Sequence, residues 1–365
     1  MRSEEVTIAE VLKPVSYRTS IIGKWHLGDG QNALPTNQGF DSYFGILYSN
    51  DMRINKDQLF AMEAKFFDSY TLEQVKSGKA KKNKRGKVSL MRDDKIIEYP
   101  VDQTYITKDY TDDAIQIITE SKKINRPFFI YLAYSMPHVP LYTRPEFARK
   151  SKGGPYGDTI EEIDFHVGRL LNHLKVLGVD KNTLVIFTSD NGPWKLSRGC
   201  GGPSEQMFST YEGGHRVPCV MRWPRMIPAG TDTDEVTTTL DFMPILARLT
   251  GAELPKDRIL DGHDITSMLK TGTAGKSNYE QFFYWSNMNI TALRIGDIKL
   301  RMQIDNKTKE REKPELYNLT EDISESNNLA SQMPEKVKEM SRILLQVQAD
   351  QLKKNSKGAL YYIAW

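Results

Sequence analysis

FFIYLAYS (residues 128–135), a helical-period stretch over 158–177 and TLVIFTSD (residues 183–190) follow one another along the chain, and together they decide its fold class. Both short runs are rich in aromatic and β-branched side chains and give way to polar or turn-forming residues, the pattern of a buried strand. Between them Ile160, Ile163, Val167, Leu170, Leu171 and Leu174 recur at the spacing of one helix face. Strand, helix, strand in that order predicts an α/β layered fold with right-handed crossovers. Working outward, RTSIIGKW (residues 18–25) reads as a third strand of the same parallel sheet, and Leu240–Leu249 as a helix closed by Gly251.

Past about residue 275 the texture changes. Thr291–Met302 alternates on either side of Gly296-Asp297, which predicts an antiparallel hairpin. Pro334–Gln351 predicts a closing helix, with proline in its first turn and Val337, Met340, Ile343, Leu344 and Val347 on one face. The expected organisation is an α/β domain over 1–275, built on a mixed, largely parallel central sheet sandwiched by helices. A small α+β domain of antiparallel sheet and helix is expected over 276–365.

Composition narrows the class of function. The 365 residues are 39% hydrophobic and 27% charged, enough for a large core. A formal charge of +3 points to no nucleic-acid partner. No apolar run approaches the roughly 18 residues of a membrane span, so none is expected. Cys200 and Cys219 form at most one bridge, which excludes a disulfide-built scaffold. KSGKAKKNKRGK (residues 76–87) reads either as a solvated loop or as a patch for a polyanion such as a sulfated glycan.

Chemistry concentrates after the predicted strands, where open α/β sheets carry their sites. Lys24 and His26 follow the first strand in GKWHLG, a cationic and a proton-transferring group two residues apart. His138 follows the second in SMPHVP, bracketed by prolines that fix the backbone and hence the aim of the imidazole. Asp190 and Asn191 follow the third in TSDNGPW, and offer two hard oxygen ligands for Ca²⁺ or Mg²⁺. YEGGHRVP (residues 211–218) is glycine-rich and leads into an apolar run. Three strand ends converging on one edge suggest metal-assisted hydrolysis or transfer on a tetrahedral oxyanion ester.

GKWHLG, LPTNQGFDSYFG, SMPHVPL, EEIDFHVGRLL, TLVIFTSDNGPW and YEGGHRVPCVMRWP, in this order from Arg18 to about Pro224, resemble the sulfatase family, close to its arylsulfatases. The resemblance implies an alkaline-phosphatase-like α/β sandwich with a smaller C-terminal domain, and hydrolysis of sulfate esters, on small molecules or on sulfated glycans. It also implies a formylglycine nucleophile made from a Cys-x-Pro-Ser-Arg type motif, and a divalent cation, Ca²⁺ first and Mg²⁺ as the alternative. Carried over by resemblance, Lys24 steadies the charge at the formylglycine diol, and His26 takes a proton from it. His138 binds sulfate and helps protonate the leaving oxygen, while Asp190 and Asn191 are two of the cation ligands. Members of the family are often exported or lysosomal, which implies an extracytoplasmic home for an intact parent.

The chain departs from the family pattern at two places. An Asp-Asp strand and the nucleophile motif are expected upstream of GKWHLG, yet the 23 residues before Lys24 contain neither, and no Cys-x-Pro-x-Arg occurs anywhere. Met207 stands where a sulfate-gripping Lys is expected, with Lys195 as a nearby substitute. The expectation is therefore a sulfatase by descent whose 365 residues alone are inactive and poorly stable, since loss of an opening strand uncovers a sheet edge. A non-catalytic remnant that binds sulfated glycans, and a phosphoester hydrolase or transferase, are the alternatives.

Overall fold

The computed structural model describes residues 1–52, 59–66, 73–74, 88–193, 209–305 and 307–355. Backbone packing divides the chain into two compact units, one formed by 1–183 with 241–266, the other by 184–240 with 267–365. The C-terminal sheet and helix expected from the sequence both lie within the second unit.

The first unit is built on a six-stranded mixed sheet. Its strands are β1 (Arg18–Lys24), β2 (Ser42–Ile46), β3 (Leu59–Phe66), β4 (Leu90–Arg92), β5 (Lys95–Tyr99) and β6 (Phe128–Ala133), in the order β3-β5-β4-β2-β1-β6. β2, β1 and β6 run parallel, with Gly23 level with Gly45 on one side and Ala133 on the other. Alternate residues of β1 and β2 enter opposite layers, as a pleated strand requires. Ile22, Phe44 and Ile46 pack with Ile106, Tyr110, Ala114 and Ile117 of helix α2 (Ile106–Lys123) and with Ile163 of α3 (Gly154–Val176). Ile21 and Tyr43 pack on the other face, with Ala9 of α1 (Ile8–Leu12), Trp25 and Phe40. Thr7 caps α1 reciprocally with Glu10, satisfying backbone donors that a helix start leaves open.

The second unit holds a two-stranded and a four-stranded sheet. β7 (Val185–Thr188) pairs antiparallel with β8 (Cys219–Arg222) and, among the described residues, with no other strand, whereas its apolar character suggested a strand in a parallel ladder. Nor is it buried: Phe187 is 43% exposed, and on β6 Tyr131 is 53% exposed. Apolar composition marked both strands, but β6 ends its sheet among the described residues, and an edge strand keeps part of its surface wet. Helix α4 (Glu212–His215) lies between β7 and β8 in the chain, with Glu212 and Gly214 buried. Helix α5 (Phe242–Thr250) belongs to the first unit, against α1, and ends at Gly251 with φ +75°, the left-handed cap expected of glycine.

Strands β9 (Phe282–Ser286), β10 (Asn289–Ile295), β11 (Ile298–Arg301) and β12 (Glu315–Asn318) form the antiparallel sheet, with Gly296 at φ +57° in the predicted hairpin. The closing helix Pro334–Asn355 lays Val337, Met340, Ile343, Leu344 and Val347 on Leu293, Leu300 and Leu316. Among the described residues no helix is long and apolar enough to cross a membrane.

Two glycines allow opposite expectations. A Cβ on Gly45 would lie 1.9 Å from the Gly23 carbonyl oxygen, whereas one on Gly168, inside α3, would meet nothing within 4 Å. Gly45→Ala should therefore lower stability by about 1–3 kcal/mol or more through overpacking. Gly168→Ala should raise it by about 0.5–1 kcal/mol through helix propensity. Urea midpoints of the two variants moving in the same direction would contradict this placement.

Candidate functional site

Lys24 closes β1, but the chain keeps bonding to the β2 side after it. Trp25 N–H donates to the Ile46 carbonyl (3.1 Å) and His26 N–H to that of Leu47 (2.8 Å). Trp25 is buried, with its indole donating to the Ala33 carbonyl (2.8 Å) and meeting Phe40 edge-on. This anchor leaves Lys24 half-buried and His26 exposed on either side of it. His26 adopts φ +57° and sets its ring edge-on to Tyr48 at 5.6 Å. Positive φ on a non-glycine residue is uncommon and is held only where the surroundings over-determine it. Tyr48 in turn donates to Asp29 (3.3 Å), and burial together with that carboxylate raises its phenol above the usual value.

His138 stands on the loop after β6, between peptide bonds Met136–Pro137 and Val139–Pro140 that are both cis. The loop is tied at several points. Ser135 Oγ and the Tyr110 hydroxyl are 3.2 Å apart, and His138 N–H donates to the Ser135 carbonyl. Farther on, the buried Glu162 accepts from the backbone N–H and Nε of Arg144, each at 3.0 Å, and from the Thr143 hydroxyl. Asn50, on the loop after β2, reaches the centre: its amide nitrogen donates to the carbonyls of His138 (3.3 Å) and Pro140 (3.0 Å). Lys24 thus closes β1, and His26, Asn50 and His138 follow the carboxyl ends of the adjacent parallel strands β1, β2 and β6. Sequence reasoning did not find Asn50, because a polar residue four positions past a strand has no pattern that separates it from any loop residue.

Asp190 and Asn191 belong to the second unit, exposed on the loop after β7. Ser189 Oγ donates to the Asn191 carbonyl at 3.0 Å. Gly192 is buried, donates to the Gly214 carbonyl (3.1 Å), and has room for no Cβ, which would lie 1.7 Å from the Gly213 oxygen. The donor chemistry of this pair suits a hard divalent cation, but Ca²⁺ takes six to eight oxygens. Among the described residues no three His, Cys, Asp or Glu side chains gather as a metal cluster. Lys195, Cys200, Met207 and the basic 76–87 segment lie outside the described residues.

Behind Gly213 and Gly214 is a buried ionic cluster that the sequence did not reveal. Lys299, wholly buried on β11, places Nζ 2.8 Å from Glu212 and 2.9 Å from Glu325, and 4.2 Å from the Tyr284 ring centre. Tyr284 donates to Glu212 (2.8 Å), and Glu325 accepts from the Glu212 backbone N–H (2.5 Å). Burial pushes the Glu212 carboxyl up, but the charge and hydrogen bond of Lys299, with the Tyr284 hydroxyl, outweigh it and leave Glu212 below the usual range. For Glu325 burial prevails over Lys299 and raises the value. Lys299 stands almost equally near both carboxylates, and the Tyr284 hydroxyl that donates to Glu212 tips the balance towards that one.

Comparison with known proteins bears on both units. Residues 2–252 match the family model described as Sulfatase, and residues 206–354 match N-sulphoglucosamine sulphohydrolase, C-terminal. The chain belongs to the sulfatase family. It is 32% identical to human arylsulfatase A over 94% of its own length and 71% of that protein's. Identity to the human steryl-sulfatase is also 32%, over 80% of this chain. The chain spans 59% of the length of that steryl-sulfatase and 54% of the mouse one. Among solved structures it resembles PsFucS1 sulfatase from Pseudoalteromonas sp. (TM-score 0.76, 25% identity, 96% of this chain and 74% of that one). It also resembles Ps i-CgsB in complex with k-i-k-neocarrahexaose (TM-score 0.75, 26% identity, 96% and 75%). These likenesses bear out the alkaline-phosphatase-like fold expected from the sequence.

The Sulfatase match and the C-terminal match overlap at Glu212, while Lys299 and Glu325 fall only in the second. The buried cluster therefore joins the α4 turn to the C-terminal sheet within one unit. Lys299→Met should cost about 3–5 kcal/mol, because it strands two buried carboxylates, whereas Lys299→Met combined with Glu212→Gln and Glu325→Gln should cost much less. Equal losses in urea denaturation would refute this account. The pH dependence carries a sign. Glu212, with its folded value lowered, stabilises above its unfolded value near pH 4.3, and that contribution is lost as pH falls through the folded value. Glu325, raised, acts in the opposite sense and favours the folded state less as pH climbs through its value. Glu212→Gln should accordingly flatten the acid limb of the stability curve measured from pH 6 to about pH 3.

Proposed function

We propose that this chain carries the sulfate-binding part of a sulfate-ester hydrolase, with Lys24 and His138 contacting the sulfate group. Support comes above all from one arrangement, in which the residues of GKWHLG and SMPHVP follow neighbouring parallel strands. The ammonium group of Lys24 is suited to an anionic sulfate oxygen, and the imidazolium of His138 can donate a proton to the ester oxygen as the S–O bond breaks. His26 beside Lys24 is suited to accept the proton of the attacking group. Overall, water and the ester give an alcohol and sulfate. Asp190 and Asn191 are proposed ligands of a divalent cation, Ca²⁺ before Mg²⁺, which when bound supplies positive charge to the reacting oxygens.

The family chemistry expected from the sequence also calls for formylglycine. No Cys-x-Pro-x-Arg is present in the 365 residues, so these residues do not supply that group. We take the substrate to be an aryl sulfate or a sulfated glycan, in line with the names arylsulfatase A and N-acetylgalactosamine-6-sulfatase among the relatives. An extracytoplasmic location of the whole protein goes with that reading.

Two measurements test it. Inorganic sulfate should bind the chain in isothermal titration, with Lys24→Ala and His138→Ala each weakening it about tenfold or more, equivalent to roughly 1.4 kcal/mol. The 365-residue chain alone should show no turnover of an aryl sulfate with Ca²⁺ present. Turnover that disappears in His138→Ala would disprove the inactivity, and sulfate affinity indifferent to both variants would remove the assignment of the site.

A further inference from the structure

We propose that Asn50 is the positioning residue of His138, fixing its neutral ring in the Nδ1–H tautomer so that Nε2 is the atom that gives and takes the proton. Asn50 is 1% exposed, and its own carbonyl accepts from the amide of the equally buried Gln103 at 2.8 Å. The orientation of its side-chain amide follows from the neighbours. Two carbonyl oxygens, those of His138 and Pro140, face one end at 3.3 and 3.0 Å. That end must be the NH₂, since an oxygen there would oppose two others. The remaining end is therefore Oδ1, and it faces His138 Nδ1 at 3.0 Å. The Val139 carbonyl approaches the same nitrogen at 2.7 Å.

Both groups facing Nδ1 can only accept, so Nδ1 carries a proton whether the ring is neutral or charged. Among the described residues none bonds Nε2. Neutral His138 then presents a lone pair at Nε2, and charged His138 presents an N–H there. The same amide also ties the backbone on both sides of the imidazole, at residues 138 and 140, so ring orientation and loop position depend on one buried side chain. What this contributes to chemistry rests on the sulfate-site reading above, but the tautomer itself does not.

The experiment is ¹⁵N–¹H correlation of the imidazole nitrogens in the full 365-residue chain at alkaline pH, with His138 identified by the signal lost in His138→Gln. The wild-type ring should show a protonated, pyrrole-type Nδ1 and an unprotonated, pyridine-type Nε2. Asn50→Ala, which removes one acceptor and also unties the backbone that presents the Val139 carbonyl, should turn this into a mixture of tautomers while the other histidines keep their signals. Asn50→Asp, which retains an acceptor, should preserve Nδ1–H. A wild-type ring protonated at Nε2, or an Asn50→Ala ring identical to wild type, would overturn the proposal. Titration with inorganic sulfate near neutral pH gives a separate readout. His138 signals should shift in the wild type and need about tenfold more sulfate in Asn50→Ala. If sulfate moves nothing in the wild type while the tautomers behave as stated, the sulfate site falls and the role of Asn50 stands.

Discussion

Where Gly23 faces Gly45 on one side and Ala133 on the other, three backbones approach more closely than a side chain permits. A Cβ on Gly23 would lie 1.8 Å from the Ala133 oxygen, and the residue holds φ +109°. This contact sits at the carboxyl ends of β2, β1 and β6. From it the chain departs within one to five residues towards Lys24, Asn50 and His138, so the pinched ladder sets the origin from which each of those loops is measured. Ile21 and Ile22, adjacent in β1 and buried in opposite layers, hold the ladder from both faces.

Each unit then solves the same problem in a different way. A loop that carries polar groups must be held without being buried. In the first unit neutral hydrogen bonds do this, through Asn50, Ser135 and Tyr110, with one charged anchor at Arg144 and Glu162. In the second, the loop of Asp190 and Asn191 rests on the Gly213–Gly214 turn, and that turn is held by the Lys299 cluster. Buried charges gain directional strength in low dielectric, but only while every partner is present.

The sequence was most legible where periodicity is dictated by a buried face. The helix around Ile163, the hairpin at Gly296 and the closing helix with Met340 and Leu344 all show this, each formed close to the residues their patterns mark. Ordered motifs revealed the family and pointed to Lys24, His26 and His138. The pairing of strands was less accessible: Val185–Thr188 is as apolar as a central parallel strand, yet its ladder runs antiparallel to β8, a choice made by distant contacts. Asn50 and Lys299 were invisible for a related reason. A polar residue records its own chemistry in the sequence, but its partner 88 residues away, as for His138 and Asn50, leaves no local trace.

The enclosure of Lys299 has an analytical consequence. An amine-directed reagent can modify a lysine only when its nitrogen reaches solvent in the uncharged form, and Lys299 is shut in among two carboxylates and an aromatic ring. Surface lysines such as Lys256 and Lys276, each 84% exposed, take the label from the folded chain. Label on Lys299 would instead record that the C-terminal sheet has opened, so one buried nitrogen makes the breathing of that unit countable by mass.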